Sequence, residues 1–91
     1  MDLDYNLNLL ESSYSKYNFK ELYLKNFYRE SVSGKSSDNY HLIEVSALCP
    51  CGKKNTDGFV LNNIGLFEFN SQEPFSEELL LDHLEKDGII V

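Results

Sequence analysis

Hydrophobic and polar positions alternate most clearly between Asp57 and Asn70, where the chain reads DGFVLNNIGLFEFN. Phe59 and Leu61, then Phe67 and Phe69, stand two apart, the spacing that puts side chains on one face of a pleated strand. Aromatic and β-branched residues suit such a half-buried surface. Asn62 and Asn63 interrupt the run, and Gly65 within it marks a bulge, a bend or a close backbone approach. The pattern predicts one long strand, or two short ones, at the middle of a sheet.

The remaining pattern builds outward from this stretch. Leu7 and Leu9 alternate with Asn6 and Asn8, which predicts a strand over residues 6–17, although Tyr14 and Tyr17 have a spacing that also suits a helix. Residues 18–32 carry two periods at once. Phe19, Leu22, Tyr23 and Phe27 fit a helical stripe, and Leu22 and Leu24 against Tyr23, Lys25 and Phe27 fit a strand. Aromatic density favours the strand. Residues 33–39, SGKSSDN, have no apolar side chain and predict a seven-residue turn. Residues 40–48 alternate again, with Ile43, Val45 and Ala47 inward and His41 at their rim. Pro50 ends that strand, because it cannot donate to a ladder. Residues 49–57 then read as a loop. Ser76 is placed to cap a helix whose first turn holds Glu77 and Glu78, acids at the positive end of the dipole. Leu79, Leu80 and Leu84 with His83 give it a short apolar stripe, and Gly88 closes it. Ile89, Ile90 and Val91 must be buried, be paired, or mark the cut end of a longer ancestor. The prediction is an α+β fold: an antiparallel four-stranded sheet with a short C-terminal helix, in one domain spanning residues 1–91.

Composition sharpens this. A chain of 91 residues buries only roughly 60–65% of its unfolded surface, so one small core is the limit. Six Phe and six Tyr supply bulk for it without any Trp, since each aromatic buries on the order of 150–250 Å². The formal net charge of −7 argues against nucleic acid, whose phosphates need Lys and Arg partners, and against an anionic membrane surface. A basic protein partner, or simple solubility, suits it better. No run approaches the ~18 apolar residues of a membrane span, and the acidic start MDLDYNLNLL is unlike a signal peptide. A cytoplasmic location is expected.

Candidate chemistry is sparse. Cys49-Pro50-Cys51 offers two ligands where zinc needs four, commonly as two paired sets. Thioredoxin-like motifs place two residues between their cysteines, and this pair has one. The plainer reading is two thiols in a loop. His41 and His83 have no nucleophile or carboxylate at a recognisable spacing, and no Gly-rich phosphate loop occurs. No catalytic, cofactor or metal residue is assigned, and an enzyme is not expected. Glu77, Glu78, Asp82 and Glu85 form an acidic face on the predicted C-terminal helix. It suits either solvent or a basic partner.

Ile43-Glu44-Val45-Ser46-Ala47, a loop, and then Phe59 to Phe69 with Gly65-Leu66-Phe67 resemble the core of the SecB protein-export chaperones and SecB-like proteins. The segment from Ser76-Glu77-Glu78-Leu79 to Leu84 is similar to the short acidic helix that follows in that family. The resemblance covers residues 40–91. It implies an antiparallel four-stranded sheet packed with helix, assembled into dimers or tetramers, that binds unfolded polypeptide along apolar grooves without ATP and meets the SecA motor through acidic surface. Two departures stand out. The family continues into a long helix where this chain stops, and its acidic strand residue would fall near Val60.

These readings give one leading expectation and two rivals. The leading one is a SecB-like protein, homodimeric or larger, that holds non-native or extended polypeptide on an apolar sheet surface. Phe59, Leu61, Leu66, Phe67 and Phe69 are its candidate groove or core residues. A sheet with only one short helix leaves apolar area for an oligomer, a partner or an added edge strand to cover. The first rival is a small acidic inhibitor, of the phage anti-defence or toxin-immunity kind, that blocks a basic surface of its target. The second is a zinc-bound structural module.

Overall fold

A computed structural model of the chain describes residues 2–33 and 36–89, with the side chains of 31–33 and 36–38 outside the description. Its elements are α1 (Leu3–Ser15), β1 (Glu21–Ser33), β2 (Ser36–Leu48), β3 (Lys54–Leu61), β4 (Leu66–Glu68) and α2 (Glu77–Lys86). The four strands form one antiparallel sheet in the order β1-β2-β3-β4. The α+β antiparallel sheet with a C-terminal helix expected from the sequence is therefore the architecture, with a second helix added at the other end.

That helix corrects the strand expected over residues 6–17. Leu3, Leu7, Leu10 and Tyr14 recur at the helical period, and all four pack into the core. Asp2 caps the start: its Oδ1 accepts the Tyr5 N–H at 3.0 Å, satisfying one of the free donors of the first turn. The alternation of Leu7 and Leu9 with asparagines covers too few positions to outweigh a stripe four residues deep. In residues 18–32 the strand reading holds, and β1 splits the rival helical stripe between the two faces of the sheet.

The β1–β2 hairpin is longer and tighter than expected. Its ladder runs from Glu21↔Leu48 to Ser33↔Ser36. Residues 36–39 are thus strand, and the connection shrinks from seven residues to positions 34 and 35, which lie outside the described residues. Of β2, only His41–Leu48 pairs with β3. The far end of the hairpin therefore leaves the sheet as a two-stranded ribbon, within a molecule 48 × 20 × 19 Å in extent.

The central stretch is two strands. Asn62 accepts at Oδ1 from the N–H groups of Ile64 and Gly65, and its own N–H donates to Gly65 O at 3.0 Å. This Asx-type turn reverses the chain. β3 is interior, but β4 lies at the sheet's end, which corrects its expected central position. The loop expected over 49–57 is also shorter, since Lys54–Asp57 already belong to β3. Residues after β4 fold back along it: Glu68 N–H donates to Glu73 O and Phe75 N–H to Leu66 O. That edge is covered, and the outer edge of β1 pairs with no strand among the described residues.

The C-terminal helix forms as its sequence predicts. Ser76 Oγ accepts the Leu79 N–H at 3.1 Å. Gly88 takes a φ of 70°, and the Ile89 N–H returns to Leu84 O at 2.9 Å, a left-handed C-terminal cap. Ile89 is buried; residues 90 and 91 lie outside the description.

Candidate functional site: the open face of the sheet

Both helices pack on the same side of the sheet. The core they seal contains Leu10 and Tyr14 from α1, Leu80 and Leu84 from α2, and Ile43, Val45, Ala47, Phe59, Leu61 and Leu66 from the strands. Phe59 meets Tyr14 and Phe75 edge-on at centroid distances of 6.5 and 5.6 Å, a favoured aromatic geometry. Three of the five candidate groove residues, Phe59, Leu61 and Leu66, are thus fixed in the core at 4%, 1% and 8% exposure. They offer no surface to a polypeptide.

One carboxylate ties this covered side together. Asp57 Oδ2 accepts from Tyr14 Oη at 2.6 Å and from Asn55 Nδ2 at 2.7 Å, and Asp57 Oδ1 lies 2.7 Å from His83 Nε2. The other ring nitrogen, His83 Nδ1, is 3.1 Å from Asp87 Oδ2. Asp57 thereby joins β3 to both helices. Burial, and then the Asp57 charge, push the Tyr14 hydroxyl far above its ordinary range. Both oxygens of Asp57 and both ring nitrogens of His83 are committed to partners within this cluster, and the cavity beside it holds only about 60 Å³, far below the ~300–1,000 Å³ of ligand clefts. The cluster is an anchor for the helices. The His83–Asp87 pair corrects the expectation that His83 has no carboxylate at a recognisable spacing, since i, i+4 on a helix is one; the Asp57 partner, on another element, carries no such signal.

The acidic face divides. Glu77 turns toward α1, its Oε1 accepting from Lys16 Nζ at 2.8 Å and from Ser13 Oγ at 3.2 Å. The Lys16 hydrogen bond and charge hold its carboxyl below the usual carboxylate range. Glu78, Asp82 and Glu85 stay exposed on the outer side of α2, with Leu81 among them.

Among the described residues, no helix or strand covers the opposite side of the sheet. Strand alternation and the registers place Tyr23, Lys25, Phe27 and Arg29 of β1 there, with Tyr40, Leu42 and Glu44 of β2, Lys54 and Val60 of β3, and Phe67 of β4. Tyr23 is 60% exposed, Phe27 39% and Phe69 53%. Phe69, just past β4, is laid across the sheet because Gly58 leaves room for it: a Cβ at Gly58 would stand 3.3 Å from Phe69 Cβ. The Phe69 N–H donates to Gly58 O at 2.9 Å. Its ring forms a ridge between two open depressions. One, of about 390 Å³, is lined by Tyr40, Val60 and Ile64. The other, of about 280 Å³, is lined by Phe27, Arg29, Leu42 and Glu44. The Arg29 guanidinium sits 5.7 Å from the Phe27 ring centroid, a cation–π contact. Of the sequence candidates, Phe67 and Phe69 belong to this face; Tyr23, Phe27, Leu42 and Val60 were missed. Their period-2 pattern was present, but only the placement of the helices shows which side stays open.

Charge follows the same division. Among the described side chains, the two helices carry Asp4, Glu11, Glu77, Glu78, Asp82 and Glu85 against Lys86 alone, whereas the open face has Lys25, Arg29 and Lys54 against Glu21 and Glu44.

Cys49 and Cys51 are joined to each other in a disulfide, which corrects the expectation of two thiols. Neither sulfur is a thiolate ligand in this state, and no group of three or more His, Cys, Asp or Glu able to hold a metal gathers among the described residues. No helix among them is long and apolar enough to cross a membrane. No family model, no curated protein and no solved structure matches this chain.

Proposed function

We propose that the chain is a polypeptide-binding protein, working without catalysis, that holds extended or non-native segments against the open face of its sheet. The observation that carries this is the uncovered row of Tyr23, Phe27 and Phe69 with apolar depressions on either side of Phe69. Exposed aromatic anchors above apolar hollows suit side chains of varied shape, and an open face of this kind is where soluble proteins meet partners. The outer edge of β1, which pairs with no strand among the described residues, adds backbone donors and acceptors beside the same face, so an extended segment gains main-chain hydrogen bonds as well. A SecB-like kinship and a cytoplasmic setting remain parts of the proposal; the four-stranded antiparallel sheet is compatible with both. The same face gives a second copy of the chain a place to pack. A homodimer that competes with client follows, and mass in solution against client concentration reports it.

The test is suppression of aggregation of a reduced, alkylated model polypeptide. The wild-type chain should suppress it near stoichiometric ratio, with weak salt dependence. The variant Tyr23→Ser/Phe27→Ser/Phe69→Ser should lose at least about tenfold in apparent affinity, since each buried aromatic anchor contributes more than ~1 kcal/mol, while keeping its fold. Equal suppression by both proteins contradicts the reading.

The exposed stripe of Glu78, Asp82 and Glu85 around Leu81 favours a second reading, an acidic inhibitor docking on a basic target. That protein would ignore the model polypeptide and bind one target with steep salt dependence.

A further inference from the structure

The Cys49–Cys51 disulfide spans a single residue, Pro50. A disulfide's effect on stability grows with the length of loop it closes, so this one does little for the fold. The turn around it is already held without it. Cys49 N–H donates to Lys53 O at 2.8 Å, Gly52 N–H donates to Cys49 O at 2.9 Å, and Leu48 pairs with Lys54 across the ladder. Gly52, at a φ of 96°, supplies the left-handed residue the turn requires.

The two sulfurs stand in unlike surroundings. Cys49 is buried, and its Sγ accepts the Cys51 N–H at 3.1 Å. Cys51 is exposed, and beside it a Cβ at Gly52 would meet nothing within 4 Å. An attacking sulfur thus has a free path to Cys51, and the departing sulfur has a waiting donor.

We propose that Cys49–Cys51 is a redox-active site that exchanges with low-molecular-weight thiols of the glutathione class, Cys51 being the sulfur attacked and Cys49 the one that leaves. In the first step the thiolate donor bonds to Cys51 Sγ as the Cys49–Cys51 bond breaks. The electron pair departs on Cys49 Sγ, where the Cys51 N–H receives it. A second thiolate then attacks the donor's sulfur in the mixed disulfide and releases Cys51. Two donor thiols become one donor disulfide, the protein's disulfide gains two electrons, and the two protons end on Cys49 and Cys51. The reverse sequence reoxidises the pair. This site lies apart from the open aromatic face and does not depend on the polypeptide-binding reading.

The full chain, equilibrated at graded ratios of reduced to oxidised glutathione, quenched with acid, alkylated and weighed intact, tests this. The account expects reversible interconversion of disulfide and dithiol within that range. It also expects Cys49→Ser to take up one glutathione at Cys51 about tenfold or more faster than Cys51→Ser does at Cys49, because exposure sets the rate of attack. The double variant Cys49→Ser/Cys51→Ser should keep the wild-type fold and melting behaviour. A pair locked in one state at every ratio, equal rates in the two single variants, or loss of fold in the double variant would overturn the proposal, the last by making the bond a structural staple.

Discussion

The two faces of one sheet carry comparable apolar side chains and meet opposite conditions. On one, Phe59, Leu61, Ile43 and Val45 lie beneath two helices at 4% exposure or less. On the other, Tyr23, Phe27 and Phe69 keep more than a third of their surface in water. Alternation along the strands is the same for both. The difference comes from where the helices are pinned, and Asp57, bonded to Tyr14 of α1 and His83 of α2, pins both to one side. Apolar patterning makes a sheet amphipathic or two-sided; polar anchors and helix stripes decide which side becomes core.

The sharpest break between the faces should be in stability. Leu84→Ala, at a fully buried position, should cost about 2–5 kcal/mol through lost transfer energy and a residual cavity. Tyr23→Ala on the open face should change stability by no more than about 0.5 kcal/mol. Denaturant melts of the two variants check this, and comparable losses would erase the distinction between the faces.

Asp57→Asn should come next. It removes the charge and puts an amide N–H₂ among the groups of Tyr14, Asn55 and His83, at a side chain only 13% exposed. Hydrogen bonds to buried charged groups contribute about 1.5–3 kcal/mol, so a loss of about 2–4 kcal/mol is expected. Helical content measured by circular dichroism during unfolding should show both helices releasing together.

A smaller effect should appear at alkaline pH. The Tyr14 hydroxyl is held above its ordinary value by burial and by Asp57, so the folded chain retains a proton that the unfolded chain releases above about pH 10. The Tyr14 contribution is complete below that pH and declines as pH rises beyond it. Tyr14→Phe should therefore flatten the fall of stability above about pH 10 while lowering stability at neutral pH by roughly 1–2 kcal/mol through the lost bond to Asp57. Parallel alkaline slopes in the two proteins would remove Tyr14 from the anchor.

The sequence makes the inward set of β2 and the whole of α2 legible, because Ile43, Val45 and Ala47 alternate cleanly and both Ser76 and Gly88 are present as punctuation. It also carries the signal for α1, in the run Leu3, Leu7, Leu10, Tyr14 behind the cap Asp2. A window opened at Asn6 meets Leu7 and Leu9 first and reads a strand. That one misread element has consequences for the site. With only a short helix in view, there is too little cover for either face, and Phe59, Leu61 and Leu66 look as available as Phe69. Asp57 has only Asn55 as a local partner, and nothing in the chain marks Tyr14 or His83, which are brought to it only by the fold. The Cys49–Cys51 pair shows its spacing but not its burial asymmetry, which the turn at Gly52 creates.

The central claim is that the face away from the helices is where polypeptide binds. It is tested most directly by titrating the isotopically labelled chain with an unstructured model polypeptide and following the resonances residue by residue. The account predicts that Tyr23, Phe27, Val60 and Phe69 shift with client concentration while Leu10, Leu80 and Leu84 hold still. Shifts gathered on α1 and α2, or none at saturating polypeptide, would contradict it.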